Sequence, residues 1–146
     1  MKRSGLYYLI ICVLFPAMSF AESEEDAMYL YRSDVMEMSQ KHLKALKRYV
    51  NGELAIKDHV PAHIDTLLAL NGMYLDLFPP GKQHPESEAL PAVWNDSRGF
   101  QQAHGFNRKR IMALQQVDPS DIAKMKRAVN DVRMSCGDCH YYYKQR

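Results

Sequence analysis

The sequence predicts an all-α fold, a bundle of four helices, and three observations point there. Apolar residues recur at alternating steps of three and four along four stretches, the period of a helix with one buried face. Gly and Pro punctuate the boundaries between those stretches. No stretch alternates apolar and polar residues with the period of two that a half-buried strand requires.

A separate segment precedes the bundle. Lys2 and Arg3 lead an apolar run from Leu6 to Phe15, and Ser19-Phe20-Ala21 supplies small residues for a signal peptidase. The expectation is a signal peptide over residues 1–21, cleaved after Ala21, and export to a bacterial periplasm. The run is too short to span a bilayer comfortably, and Glu22, Glu24, Glu25 and Asp26 follow at once, so no membrane span is expected to be retained. Cys12 invites a lipoprotein reading, but Ile11 stands where a small residue is wanted. Cleavage removes Lys2 and Arg3 and so cancels the formal net charge of +2. A neutral chain offers no electrostatic footprint for nucleic acid. Residues 22–146 then form one domain, long enough for a core of its own.

The first helix is expected from about Asp26 to Val50, with Met28, Tyr31, Val35, Met38, His42, Leu46 and Tyr49 facing inward. Asn51-Gly52 stops it, because Gly tolerates the left-handed conformation after a last turn. The second is expected from Asp58 to Phe78, carrying Val60, Ile64, Leu67, Leu68, Leu70 and Leu75, with Pro61 in the first turn. Pro79 to Pro91 is a loop, packed back by Leu90, Val93 and Trp94. The third helix is expected from Asp96 to Gln116, with Phe100, Ala103, Ile111 and Leu114 inward and Gly105 weakening its middle. Asp118-Pro119 opens the fourth as N-cap and first helical residue. Its inward row is Ile122, Met125, Val129, Val132, Cys136 and Cys139.

That row runs into Cys136-Gly137-Asp138-Cys139-His140, the spacing of a c-type haem attachment sequence. Two thiols add across the two haem vinyl groups as thioethers, and the adjacent imidazole ligates iron. At 100° per residue, Cys139 lies about 60° to one side of Cys136 and His140 about 40° to the other, so all three share a face. A structural zinc needs four ligands, and no second Cys or His pair at related spacing accompanies this one. A redox dithiol belongs beside a βαβ pattern, which a helical chain lacks. With Cys12 removed, both remaining cysteines are spent on the motif and no disulfide framework is expected. One covalent haem c per chain is the expected cofactor. No Met or His follows His140, so a protein ligand on the other side of the iron must come from upstream.

The chain resembles the class II c-type cytochromes, which include cytochrome c′ and the low-spin cytochrome c-556 group. The resemblance rests on Tyr31-Arg32 followed by Met36, the Gly52-Glu53 stop, Leu77-Phe78-Pro79-Pro80-Gly81, Leu90-Pro91-Ala92-Val93-Trp94 with Phe100, and the motif from Cys136 to His140 with Lys144 beyond it. It implies an antiparallel four-helix bundle, an architecture of which cytochrome c′ is a familiar example, with the haem on the last helix. It also implies attachment through Cys136 and Cys139, His140 as proximal ligand, and Arg32 near a propionate. Met36 takes the position that faces the distal side of the iron. That position is apolar and non-ligating in cytochrome c′, which binds NO or CO on five-coordinate iron, and is a methionine ligand in the c-556 group. Lys144 departs from the pattern, since many members carry Arg there.

Function follows on two readings and not as an enzyme: electron transfer with periplasmic redox partners, or binding of NO or CO at a vacant distal site. The family often dimerises through its first two helices, so a homodimer is a third expectation. Several residues have plainer readings. Met36 by spacing alone is core, His42 is a packed histidine, and His59 and His63 are an exposed pair four residues apart. Lys41, Lys44, Lys47 and Arg48 form a solvated face, and Tyr141, Tyr142 and Tyr143 divide between packing and surface.

Overall fold

The computed structural model describes residues 23–81 and 83–145, so the expected signal peptide and its cleavage site lie outside the described residues. Four long helices form the body: α1 Glu24–Val50, α2 Val60–Met73, α4 Ser97–Gln115 and α5 Ile122–Tyr143, with a single-turn α3 at Ala92–Asn95. A 3-10 turn, Lys57–His59, leads into α2. Packing runs in a ring, α1 on α2, α2 on α4, α4 on α5 and α5 on α1.

Contacts along the seams show that neighbouring helices are antiparallel. Tyr31 of α1 donates to the Met73 sulfur at the end of α2, while His42 meets His63 further along. Asn71 pairs with Asn107 and Asp65 with Gln115 between α2 and α4. Phe100 packs on Tyr143 and Asn107 on Ser135 between α4 and α5. The Tyr49 hydroxyl near the end of α1 donates to the Pro119 carbonyl just before α5, at 2.7 Å.

The helix ends follow from local chemistry. Asn51 caps α1, Gly52 takes φ +76°, and the Gly52 and Glu53 amides return to Tyr49 and Arg48 carbonyls at 3.0 and 2.9 Å. This paired 5→2 and 6→1 closure needs the left-handed residue that glycine supplies. Pro61 sits in the first turn of α2, as its missing N–H requires. Asp96 caps α4 by accepting from the Gly99 amide at 3.0 Å. A Cβ at residue 99 would strike the Asp96 carboxylate and come within 2.7 Å of the Tyr143 oxygen, so the turn accepts only glycine without rearrangement. Gly105 interrupts nothing, and α4 runs through it.

Several boundaries and orientations differ from expectation. α1 begins at Glu24 because Ser23 and Asp26 form a reciprocal capping box. α2 ends at Met73, after which a series of turns brings Leu77 into the core and leaves Leu75 exposed. α5 begins at Ile122: Asp121 is the N-cap, accepting from the Lys124 amide, whereas Asp118 accepts from the Ser120 amide and caps only a turn. Ile122 is therefore exposed in the first turn. On α1, Tyr31 and Met38 are exposed while Arg32 and Ser39 are buried, a rotation of the inward face towards polar residues.

The core is asymmetric along the bundle axis. At the end holding the α1–α2 turn, Leu46, Val60, Ile64, Leu114, Met125 and Val132 belong to one continuous cluster. At the other end two smaller clusters, around Val35, Leu70 and Leu77 and around Val93, Phe100 and Tyr143, stand apart. The 79–91 segment closes this end: the Leu90 amide donates to the Tyr143 carbonyl at 2.9 Å, the Gln145 amide to Glu88 at 2.7 Å, and the Trp94 indole to Pro79 at 3.0 Å.

Asp26 also accepts from the His84 ring at 2.9 Å, joining the start of α1 to that segment. The Ser23 hydroxyl first, and then His84, hold the Asp26 carboxyl below its ordinary 3.8. The ionised form is thus the one the fold favours. Asp26→Asn is expected to lower the thermal midpoint, with the full difference present above pH 3.8 and vanishing as pH falls through the lower folded value. Thermal melts of both proteins across that range measure it.

Candidate functional site

The gap between the core clusters is a cavity of about 690 Å³, bounded by α1, α2, α4, α5 and the 79–91 segment. Its volume lies within the range of about 300–1,000 Å³ typical of small-molecule and cofactor sites. Cys136, Cys139 and His140 of α5 line it, and so do Arg32 and Met36 of α1. All five residues singled out in the sequence therefore meet at one place.

The α5 side chains have the character expected of an attachment site. Burial pushes the Cys139 thiol up to about 11, with the neighbouring Cys136 adding to the shift. Burial also raises the Cys136 thiol, against an opposing hydrogen bond from Asn107. Both thiols are half-buried in the cavity wall, where burial favours the neutral S–H form. Among the described residues no three His, Cys, Asp or Glu side chains converge on a metal position. Burial lowers the His140 imidazole, with the Lys144 charge acting in the same sense, so its ligating neutral form is favoured. Lys144 itself pairs with Glu88 at 2.9 Å.

Arg32 is 6% exposed, yet its guanidinium reaches only neutral acceptors: the Leu77 carbonyl at 3.2 Å and the Ser87 hydroxyl at 2.8 Å. It lies over the Phe78 ring at 5.0 Å and the Tyr29 ring at 5.7 Å. Burial disfavours its charge, and no carboxylate among the described residues offsets that. A buried cation calls for an anion, and the propionates of a haem would supply one. Half-buried thiols, an adjacent imidazole and a buried cation around one cavity fit a covalently held haem.

Met36 lies on the cavity wall and packs on the Val35, Leu70 and Leu77 cluster. The backbone on both sides of it is fixed, by Arg32 through Leu77 and by Ser39, which accepts from the Tyr74 hydroxyl at 2.7 Å and donates to the Val35 carbonyl at 2.8 Å. Burial pushes the Tyr74 hydroxyl up to about 12, so it remains a donor.

Sequence reasoning missed the polar lining. Asn71 donates to Asn107 at 2.9 Å, and Asn107 donates to Ser135 at 2.9 Å and to the Cys136 sulfur at 3.4 Å. The Asn71 side-chain oxygen has no partner among the described residues. His104 contacts the Asn71 carbonyl through Nε2 at 2.9 Å, which makes that nitrogen the protonated one, and packs edge-on to Tyr74. Their one signal was placement: Asn71, Asn107 and Ser135 fall on inward helical positions, which a scan for apolar residues passes over.

Other expectations divide. Tyr141 and Tyr142 are exposed while Tyr143 is buried and donates to Asp96 at 3.1 Å. Lys41, Lys44, Lys47 and Arg48 are exposed, Lys41 pairing with Glu37 at 2.8 Å. His59 is exposed, but His63 is half-buried and its Nδ1 lies 2.9 Å from that of His42, so the exposed-pair expectation fails.

The family model described as Cytochrome C′ matches residues 27–144. Cytochrome c′ of Alcaligenes xylosoxydans xylosoxydans is 27% identical over 124 residues, spanning 84% of this chain and 95% of that protein. A cytochrome c-554 of Cereibacter sphaeroides is 32% identical over 74 residues, 49% of this chain and 48% of its own length. Among solved structures, cytochrome c′ from Rhodobacter Spheriodes superimposes with a TM-score of 0.78 at 21% identity, covering 85% of this chain and 99% of that one. A nitric oxide complex of a mutant cytochrome c prime from Alcaligenes xylosoxidans gives 0.77 at 23% identity, covering 85% and 98%. These likenesses show the fold. Antiparallel helices around a cavity walled by Cys136, Cys139 and His140, together with a family match over nearly all the described chain, place this protein in the cytochrome c′ family of four-helix haem c proteins.

Proposed function

We propose that this chain is a periplasmic electron carrier, exported by a signal peptide over residues 1–21 and folded as one domain over 22–146. Cys136 and Cys139 would hold the haem covalently, His140 would be its proximal ligand, Arg32 would pair with a propionate, and Met36 is the candidate for the distal ligand. Haem iron supplies the one-electron couple, and a methionine ligand raises its potential. The observation that carries this reading is the Met36 thioether on the wall of the same cavity as His140.

This chain's own residues position and exclude. Arg32, held by the Leu77 carbonyl and the Ser87 hydroxyl, would pair with an anionic edge of the group, and the 79–91 segment closes that end by backbone hydrogen bonds to the end of α5. No catalytic step is proposed: Tyr74 is held protonated and His104 is committed to a backbone carbonyl. Redox partners dock on the protein surface, and a homodimer through α1 and α2 is supported by exposed Leu30, Tyr31 and Met38.

A second reading is a five-coordinate haem that takes NO or CO. It is supported by solved nitric oxide and carbon monoxide complexes of cytochromes c prime with this fold, and by Met36 packing into an apolar cluster.

Exported protein is expected to keep its haem colour on a denaturing gel and through acidic acetone extraction, and Cys136→Ala or Cys139→Ala to weaken retention. Haem that extracts freely overturns attachment at this motif. Met36→Ala is expected to convert low-spin to high-spin iron, remove the sulfur-to-iron charge-transfer band and speed CO binding to the ferrous form. If wild type and variant share one high-spin spectrum, the gas-binding reading takes precedence. Asn107→Ala strands the buried Asn71 amide and removes the donor to Cys136, so denaturant titration of the holoprotein should show a loss of about 1–3 kcal/mol.

A further inference from the structure

We infer that His42 of α1 and His63 of α2 form a two-imidazole site for one divalent transition-metal ion, Cu²⁺ before Zn²⁺, separate from the haem cavity. Neither residue lines that cavity. The antiparallel α1–α2 seam brings together residues 21 positions apart, Nδ1 to Nδ1 at 2.9 Å, with ring centroids 5.0 Å apart and planes crossing at 64°. Both rings are half-buried, and Leu46, Ile64 and Leu67, each within four residues of one of them along its helix, belong to the main core cluster.

Two neutral imidazoles in this pose share a single proton between two Nδ1 atoms. If that proton moves to Nε2 of its own ring, both Nδ1 lone pairs are freed on facing sides of the pair and no net proton is released. Metal–nitrogen bonds of about 2.0–2.1 Å at a tetrahedral angle place two nitrogens about 3.3 Å apart. The pair therefore has to open by a few tenths of an ångström, and each ring has to turn by about 35° so that its lone pair leaves the Nδ1–Nδ1 line for the ion. Burial first, then His42 and His59, lowers the His63 pKa and favours the neutral ligand form. Lys41, beside His42 in sequence, is tied to Glu37 at 2.8 Å, which offsets its charge.

Imidazole suits Cu²⁺ and Zn²⁺, and affinity rises to Cu²⁺ along the divalent series. No third protein donor converges on the pair among the described residues, so water completes the coordination and the ion exchanges freely. The exposed His59, four residues before His63, is a neighbour and not a ligand. The pair is a point where a second metal could load without touching the haem.

The test adds CuSO₄ to ferric holoprotein, so that no ferrous haem is available to reduce the ion. One Cu²⁺ per chain should bind, and pulsed EPR on the unmodified holoprotein should count two remote imidazole nitrogens. His42→Gln and His63→Gln should each weaken binding by about tenfold or more, while His59→Ala leaves it nearly unchanged. Circular dichroism and the Soret band establish that the variants are folded, and the nitrogen count stands without them. Absence of stoichiometric binding, a count other than two, or affinity that survives both His42 and His63 substitutions overturns the site. ZnCl₂ should compete, more weakly; competition by Zn²⁺ that exceeds Cu²⁺ overturns the stated preference.

Discussion

One helical stripe on α5 constrains everything else. Met125, Val129, Val132, Cys136, Cys139 and Tyr143 recur at steps of four and three, so a single face is apolar core in its first half and cofactor wall in its second. A change in the rotation of α5 about its axis would withdraw the packing side chains and the thiols together. The seam with α4 sets that rotation, through Asn107 reaching Ser135 and Cys136 and through Phe100 against Tyr143. Core packing and haem attachment are therefore one requirement on the sequence.

The consequence is a bundle dense at one end and open at the other. Antiparallel helices packed side by side would normally fill their own centre, and the dense end does so with Leu46, Ile64, Leu114 and Met125. At the open end the chain places Arg32, Ser39, Asn71 and Asn107, side chains that cannot collapse into a dry core without losing hydrogen bonds. Each is anchored to a fixed acceptor, and the 79–91 segment seals the opening by backbone hydrogen bonds to the end of α5. Polar anchoring thus keeps a cavity open that apolar residues would close. An apoprotein bears that cost without the contacts a bound group would return, so a ligand confined to the folded state stabilises it.

Much of this was legible in the sequence because it depends on periodicity and spacing. The four helices, the Gly52 stop, the Pro61 position and the motif from Cys136 to His140 are local patterns. The rotation of α1 was not legible. Tyr31 and Met38 outrank Arg32 and Ser39 on any apolar count, yet the latter face inward because the interior there is a polar-lined cavity. Asp118-Pro119 has the form of a helix start, but Asp121 supplies a competing cap three residues later, and local pattern cannot choose between two capping side chains. The His42–His63 contact joins two helices, so only the tertiary seam could reveal that two separate histidines share one place.

The choice between carrier and gas binder narrows to one side chain. Helix displacement was one way to withdraw the Met36 sulfur, but α1 is held on both sides of it: Arg32 is tied to Leu77 and Ser87, and Ser39 is tied to Tyr74. The variable left is the methionine itself, with three rotatable bonds and a soft sulfur that fills irregular gaps. Its packing against Val35, Leu70 and Leu77 is lost in part if the sulfur turns to iron, at a cost comparable to about 0.8 kcal/mol per uncovered methylene. Ligation has to exceed only that and a rotamer change of similar size. Leu70 and Leu77, against which Met36 packs, therefore bear on whether its sulfur is free to turn.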